Sequence, residues 1–317
     1  MAITAPWRAS LVGARFLHYC CRAISLSAGL WLAFSAVRAE EANLGKATSS
    51  AAARDDAIRS IPFSQMSAEA QRRISAIVTD PSMYRRMPIS LVDCDPDLHQ
   101  FMIRNPEVMV NIWQLMGITK VTAQRTGPFT WDCTDGVGTV TRMELVFGND
   151  DTHLILCEGA YDGPLFLKSL TGRCLLIMKS GRIATPEQRV QITNRLDMFL
   201  QIDHAGVNVF TKTLHPLMGK SADINFLESM NFLQRVSIAA EANGPGMQQM
   251  SGRLANVQPD VRERFSQVIN SVYERGLERM SNLPNEASRP AANRAVNVRS
   301  ATIPRASLRV APTTIQR

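Results

Sequence analysis

One stretch in the second half of the chain constrains the fold most strongly. From Val190 to Asp203, apolar residues alternate with polar ones at almost every position. A period of two predicts a β-strand with one buried face and one solvated face. Such a strand needs neighbouring strands and a second layer of structure over its apolar face.

Shorter strands are predicted ahead of this one, and turn residues separate them. Four of the segments end at glycine together with asparagine, aspartate or proline, as at Asp135-Gly136 and Asp162-Gly163. These are hairpin connections, so the predicted sheet is antiparallel. The segments are Met87 to Cys94, Ile118 to Thr126, Phe129 to Thr134, Thr139 to Phe147, Thr152 to Tyr161 and Arg173 to Ser180.

Helices are predicted on both sides of the strand region. Asp95-Pro96 and Asn105-Pro106 each combine a capping side chain with a proline suited to the first helical position. Beyond residue 204 the apolar period changes from two to about 3.6. This change predicts a long helix from Ser221 to Glu241, a helical segment from Met247 to Val257, and another helix after Pro259.

This order of elements resembles the START-like, or helix-grip, ligand-binding superfamily from Met87 to Glu241. The resemblance is carried by Asp95-Pro96, Asn105-Pro106, Asp135-Gly136, the strand Val190 to Asp203 and the Ser221 helix. It implies an α+β fold in which a curved antiparallel sheet packs against a long C-terminal helix, here with extra C-terminal helices. In that superfamily an apolar cavity lies between the sheet and the helix. Residues 222–229 also resemble a stretch of exported bacterial proteins of unassigned function.

The resemblance implies which side chains would line such a cavity. Asn194 interrupts an apolar face and must find a partner in the backbone, a water molecule or a ligand. A packed core without a ligand would use the same apolar residues, so a solid interior is the alternative. The predicted apolar lining is Trp113, Met143, Leu145, Leu196, Met198 and Met230.

The N-terminus has the layout of a secretory signal peptide. Arginines without any carboxylate precede an apolar run from Ala23 to Val37, and small residues lead to a predicted cleavage after Ala39. Export to the periplasm or the extracellular space is the expectation, with an uncleaved membrane anchor as the alternative. Cleavage would leave Cys94, Cys133, Cys157 and Cys174 as candidates for disulfides, or as free apolar cysteines.

The net charge of +7 lies at the two ends of the chain. Residues 1–39 carry +4 and residues 281–317 carry +5, so residues 40–280 carry −2. This distribution argues against nucleic-acid binding by the folded part. Five regions are predicted: signal peptide 1–39, a tether with a short helix 40–83, the helix-grip-like domain 84–242, a helical extension 243–280, and a disordered basic tail 281–317. The short helix of the tether is predicted from Ser67 through Val78, with Ser67 as its cap. The tail is a candidate contact for anionic envelope surfaces.

Motifs for catalysis, metals and cofactors do not emerge from the sequence. Nucleophile-elbow, P-loop, dinucleotide and zinc-protease motifs all lack their minimal residues. We therefore expect no catalytic residues, no metal and no cofactor, and we favour a binding protein over an enzyme. The predicted function is an exported, non-catalytic cell-envelope protein that holds a hydrophobic small molecule or lipid. The alternatives are a structural or interaction protein with a solid core, and an enzyme with a titratable group in the cavity.

Overall fold

A computed structural model of the chain describes residues 45–163, 169–185, 189–203 and 215–282. The predicted signal peptide, and the predicted tail beyond Asn282, lie outside these residues. The chain divides into two compact units, Met1–Gly276 and Leu277–Arg317. The sheet, and every helix up to Gly276, belong to the first unit.

Eight strands form one sheet in which every pairing is antiparallel. Its order is β1-β8-β7-β6-β5-β4-β3, and β2 pairs with β8 beyond the end of β1. The predicted antiparallel sheet is confirmed. The predicted strand Met87 to Cys94 corresponds to β2, and β1 lies just before it, in residues that were not predicted as a strand. The strands are β1 Met83–Arg86, β2 Ser90–Asp93, β3 Thr122–Gly127, β4 Thr130–Thr134, β5 Thr139–Gly148, β6 Thr152–Tyr161, β7 Leu170–Ala184 and β8 Val190–Ile202.

Seven α-helices accompany the sheet in the described ranges. Two of these helices have the N-terminal caps that the sequence predicts. The hydroxyl of Ser67 accepts from the amide of Ala70, and the carboxylate of Asp95 accepts from two amides of the helix that follows it. The predicted helix from Ser221 begins earlier, at His215. The helices are α1 Ala51–Arg59, α2 Ala68–Thr79, α3 Pro96–Arg104, α4 Pro106–Leu115, α5 His215–Ala242, α6 Gly244–Ser251 and α7 Pro259–Asn282.

Asn105 does not cap α4 as predicted. Its side chain makes no capping hydrogen bond to that helix. Instead its amide nitrogen donates to the carbonyl of Phe101, and its amide oxygen accepts from the guanidinium of Arg125 at 2.8 Å. The amide oxygen of Asn105, which would have capped α4, therefore binds the buried guanidinium of Arg125 instead.

The inner face of the sheet carries the larger core. Apolar residues of α3, α4, α5 and α7 pack there against residues of β1, β2, β7 and β8. The long helix α5 contributes Phe226, Met230 and Leu233, all of them buried. The α+β, helix-grip-like arrangement with additional C-terminal helices is therefore confirmed.

The outer face of the sheet carries a second core that the sequence analysis did not predict. Helices α1 and α2 cover this face, so the region predicted as a tether with one short helix contains two packed helices. Phe199 of β8 is fully buried there. The predicted solvated face of β8 is thus wrong, because helices from the start of the chain cover it and bury Phe199 and Asp197 completely. The outer core includes Ala53, Ala57, Ile74, Ile77, Leu154, Leu156, Leu175, Ile177 and Phe199.

Asp197 supplies a buried charge to this outer layer. Its side chain is fully buried, and its carboxylate accepts from the hydroxyl of Tyr84 at 2.6 Å and from Nε of Arg86 at 2.7 Å. Arg86 also contacts Asp56 of α1 at 2.8 Å. The buried carboxylate therefore links β8, β1 and α1, with its charge balanced by arginine.

A second buried ion pair joins helix α4 to the strands β3 and β4. Glu107 is 1% exposed, and its two carboxylate oxygens accept from Nε of Arg125 and from Nε1 of Trp131, each at 2.7 Å. The guanidinium of Arg125 also lies over the Trp131 ring, 4.7 Å from its centre. These contacts pair the two charges with partners inside the protein.

We predict that Glu107→Ala destabilises the protein by about 3–5 kcal/mol, because it leaves the Arg125 cation buried without a counter-ion. The matched control is Asp132→Ala, which breaks the exposed Asp132–Arg142 pair and should cost less than about 1 kcal/mol. Urea unfolding followed by circular dichroism measures both free energies. Equal losses in the two variants would contradict the role assigned to the buried pair.

Candidate functional site

Two rows of side chains cross the inner face of the sheet at its centre. In the first row each residue is the register partner of the next, from β4 to β8. This row consists of Trp131, Met143, Cys157, Cys174 and Leu200. The neighbouring row is Leu145, Ile155, Leu176 and Met198. All of these side chains are uncharged, and they form the apolar surface that faces the helices.

Glycine shapes the inner face next to these rows. Gly159 and Gly172 are register partners on β6 and β7. A Cβ atom at Gly159 would collide with the carbonyl oxygen of Val140, and one at Gly172 would lie 2.9 Å from the carbonyl oxygen of Gln201. The backbones therefore approach too closely for a side chain, and the pair leaves a stretch of inner face without side chains.

Five residues of the two rows form what we call the inner wall: Met143, Ile155, Cys157, Cys174 and Leu176. Each keeps a part of its surface accessible to water. Burial nevertheless raises the pKa of the Cys157 thiol to about 12 and that of Cys174 well above its ordinary value. These side chains are therefore largely surrounded by protein and not completely covered by the helices.

The predicted lining residues occupy different parts of this region. Met143 belongs to the inner wall, and Leu145, Met198 and Met230 are buried beside it. Leu196 is partly buried and packs on the inner core. Trp113 instead packs edge-on against Phe232 of α5, with 5.6 Å between the ring centres, so it lies between two helices.

Asn194 finds protein partners inside the inner core. It is fully buried, and its amide oxygen lies 2.7 Å from Nε2 of His99 and accepts from the hydroxyl of Ser180 at 3.0 Å. Its amide nitrogen donates to the carbonyl of Ile192. The predicted need of this residue for a partner is thus met by α3, β7 and its own strand.

A second buried histidine lies on the same face. His153 is 1% exposed, and its Nε2 accepts from Nε of Arg104 at 3.1 Å. Burial lowers the pKa of both His99 and His153 to about 4. The charge of nearby Arg104 contributes to the lowered pKa of His153, and both imidazoles are neutral at physiological pH.

The sequence analysis did not place Ile155, Leu176, His99 or His153 in a site. The alternation of β6 carries a signal for two of them, because His153, Ile155 and Cys157 occupy every second position of one strand. The four candidate disulfide cysteines are all free thiols. Cys157 and Cys174 are direct cross-strand neighbours, and they contribute to the wall as small apolar groups.

Two surface depressions lie away from the inner wall. One runs along the side of α2 that includes Gln71 and Thr79. The other is a cleft of about 830 Å³ between α3, the β3–β4 turn and the start of α7, with Phe129 exposed beside it.

Within the described ranges, no three His, Cys, Asp or Glu side chains come together as a metal site. In the same ranges no helix has the length and apolar character needed to cross a membrane.

Comparison with known proteins identifies no family for this chain. No family model matches it, and no curated protein matches it. A solved structure that is similar in part is the di-domain ARO/CYC BexL from the BE-7585A biosynthetic pathway, with 14% sequence identity and a TM-score of 0.31. The match covers 58% of this chain and 59% of that chain, which is less than two thirds of either. The fold assignment therefore rests on the strand order and the helix packing described above.

The buried histidines predict a loss of stability in mild acid. The unfolded chain takes up protons below a pH of about 6.5, whereas the folded imidazoles resist protonation down to about 4. Stability is therefore complete above pH 6.5 and falls as the pH drops towards 4, by up to about 1.4 kcal/mol per pH unit for each histidine. Urea unfolding at pH 7.0, 5.5 and 4.5 measures this slope.

The control for this prediction is His99→Gln, which keeps a donor for Asn194 and removes one titrating group. We expect a shallower decline in this variant. The charged groups that act on the two histidines include Arg182 on His99, and Arg104, Asp150 and Asp151 on His153. If the free energy of unfolding of the wild-type protein is constant between pH 7.0 and 4.5, the histidines have the same pKa values in the folded and the unfolded protein, and the prediction is wrong.

Proposed function

We propose that this protein is an exported, non-catalytic binding protein that holds a neutral hydrophobic small molecule or lipid against the inner wall. The observation that carries the proposal is the combination of enclosure and accessibility at Cys157 and Cys174. Both side chains keep accessible surface against which an apolar molecule could pack. Their position at the centre of the inner face agrees with a ligand between the sheet and the helices.

The charges of the inner face favour an uncharged ligand. Arg125 is paired with Glu107 at 2.7 Å, and Arg85 forms a bidentate ion pair with Asp223 of α5. Both cations are thus neutralised by protein carboxylates. A fatty-acid carboxylate would have to compete with these pairs, whereas a neutral molecule gains only from apolar burial.

The titratable groups around the wall favour binding over catalysis. A raised pKa keeps the Cys157 thiol protonated, and only the thiolate is a strong nucleophile. His99 and His153 are 5% and 1% exposed and are held by Asn194 and Arg104. A general acid or base must contact the substrate, and these rings are closed off from solvent.

Filling the inner wall should abolish binding of an apolar probe. We expect wild-type protein to bind the neutral fluorophore N-phenyl-1-naphthylamine saturably, at one molecule per chain. Cys157→Phe adds bulk to the wall and should weaken this binding by about tenfold or more, equivalent to about 1.4 kcal/mol. Fluorescence titration measures both dissociation constants.

The matched control for this experiment is Val140→Phe. Val140 lies on the outer face of the neighbouring strand β5 and is 63% exposed, so the same ring there should leave binding unchanged. Cys157→Ala provides a second test, since it enlarges the space and should preserve binding. The absence of saturable binding to wild-type protein would favour the alternative of a structural protein with a solid core.

We also propose that export follows the signal-peptide pattern of residues 1–39, and that the basic tail 281–317 contacts anionic envelope surfaces. Full-length chain produced in a bacterial host should appear in the periplasmic fraction with Glu40 at its N-terminus. Leu30→Arg interrupts the apolar run and should retain the chain in the cytoplasm. Unprocessed wild-type chain in the membrane fraction would instead identify an uncleaved anchor, and wild-type chain in the cytoplasm would refute export.

A further inference from the structure

The cleft of about 830 Å³ between α3, the β3–β4 turn and the start of α7 has both apolar and charged walls. All of its lining residues belong to the first compact unit, and none of them belongs to the inner wall. A concave space of this size can hold a small molecule. The chemistry of its walls indicates which kind of molecule fits.

Two aromatic side chains contribute apolar surface to the cleft. Phe101 of α3 lines it and stacks on Phe265 of α7, with 5.6 Å between the ring centres. Phe129 of the β3–β4 turn also lines it and is 55% exposed. An exposed phenyl ring at a cleft offers apolar area that a ligand can cover, above all a ligand with a ring of its own.

Backbone contacts fix the turn that carries Phe129. The guanidinium of Arg125 donates to the carbonyl of Pro128, and Arg125 is itself held by the buried carboxylate of Glu107 at 2.7 Å. The carbonyl of Phe129 accepts from the amide of Leu145 on β5 at 2.9 Å. This wall of the cleft is therefore in place before a ligand arrives, which lowers the entropic cost of binding.

Charged side chains line the rest of the cleft, three arginines and two aspartates in all. Arg125 is engaged in its buried ion pair, and Arg264 pairs with Asp260 at 3.3 Å. Asp97 pairs at 3.1 Å with Arg275, which is not a lining residue. Both carboxylates of the lining are thus already bound to arginine.

Arg104 is the third arginine, and among the described residues it has no carboxylate partner. Its guanidinium donates to Nε2 of His153 at 3.1 Å and to the carbonyl of Asn149 at 3.0 Å. Both acceptors are neutral, because burial lowers the pKa of His153 to about 4. The carboxylate of Asp150 accepts instead from the amide of Gln100 at 3.0 Å. Neutral groups therefore hold Arg104 in place and leave its charge without a counter-ion.

We propose that this cleft is a second binding site, which takes a small organic anion with an aromatic body. The anionic group binds the guanidinium of Arg104, whose planar donors suit a carboxylate. The aromatic body packs against Phe129 and Phe101. The inference goes beyond the proposed function and does not depend on it, since the inner wall takes a neutral ligand and lies elsewhere.

The test uses 8-anilinonaphthalene-1-sulfonate, which is N-phenyl-1-naphthylamine with an added sulfonate. We expect it to bind wild-type protein saturably, at one molecule per chain. Arg104→Gln removes the charge and should weaken this binding by about tenfold or more. Phe129→Ala removes an exposed ring, should weaken it by about fivefold, and tests the site even if Arg104→Gln does not fold. Fluorescence titration measures the dissociation constants, and circular dichroism verifies the fold of each variant.

The matched control is Arg59→Gln. The side chain of Arg59 is 71% exposed and lies on α1, which covers the outer face of the sheet. This variant loses the same charge and should bind the sulfonate probe as the wild type does. Equal weakening by Arg59→Gln and Arg104→Gln would show that net charge alone attracts the probe, and it would overturn the site.

Competition separates the contribution of the charge from that of the rings. We expect 2-naphthoate to displace the sulfonate probe at least about tenfold more strongly than either 2-naphthalenemethanol or inorganic phosphate, because each of these lacks one of the two contacts. Equal displacement by the alcohol would overturn the role of Arg104. Equal displacement by phosphate would overturn the role of the rings.

Cys157→Phe distinguishes the cleft from the inner wall. We expect this variant to bind the sulfonate probe normally, although it should block the neutral probe. Loss of the sulfonate probe in Cys157→Phe, with full binding in Arg104→Gln and Phe129→Ala, would overturn the second site and assign that probe to the inner wall. If the wild type binds the sulfonate probe at the cleft and not the neutral probe, the proposed function fails and the second site stands.

Discussion

The pairing of β7 with β8 is the interaction on which the other layers depend. The ladder runs from Gly172–Ile202 to Ala184–Val190, and β1 and β2 pair with the other edge of β8. Because side chains alternate along a strand, this ladder places alternate residues in the inner and the outer core. A shift of one residue would exchange the two sets and bring Asp197 into the inner core, so the pairing register specifies both faces at once.

Buried charges attach the helices to the sheet and also define the character of the inner face. On the outer face, Asp197 forms an ion pair with Arg86, which also contacts α1. On the inner face, Glu107 accepts hydrogen bonds from Arg125 and Trp131. Each buried carboxylate is paired with a guanidinium, as the cost of burying an isolated charge requires. The centre of the inner face thereby remains uncharged, which suits the neutral hydrophobic ligand proposed above.

Local sequence patterns were sufficient for most elements and insufficient for their partners. The strand Thr152 to Tyr161 and the cap at Ser67 agree with the structure because hydrophobic period and capping are local properties. The solvated face predicted for β8 was wrong, because Phe199 within that face is covered by helices from the start of the chain. Among candidate site residues, Met143 lies on the inner wall, whereas Trp113 packs between helices, since periodicity places a residue on a face without naming its neighbour.

The sequence by itself determined the antiparallel sheet, the helix order and the distribution of charge between the ends and the middle of the chain. These properties follow from hydrophobic period, turn residues and composition, which act over a few neighbouring residues. Only the tertiary structure decided that both faces of the sheet are covered and that His99 and Asn194 are partners in the inner core. Contacts between distant residues set these features, as between Tyr84 and Asp197, 113 positions apart, and between His99 and Asn194, 95 positions apart, and no local pattern encodes such a pairing.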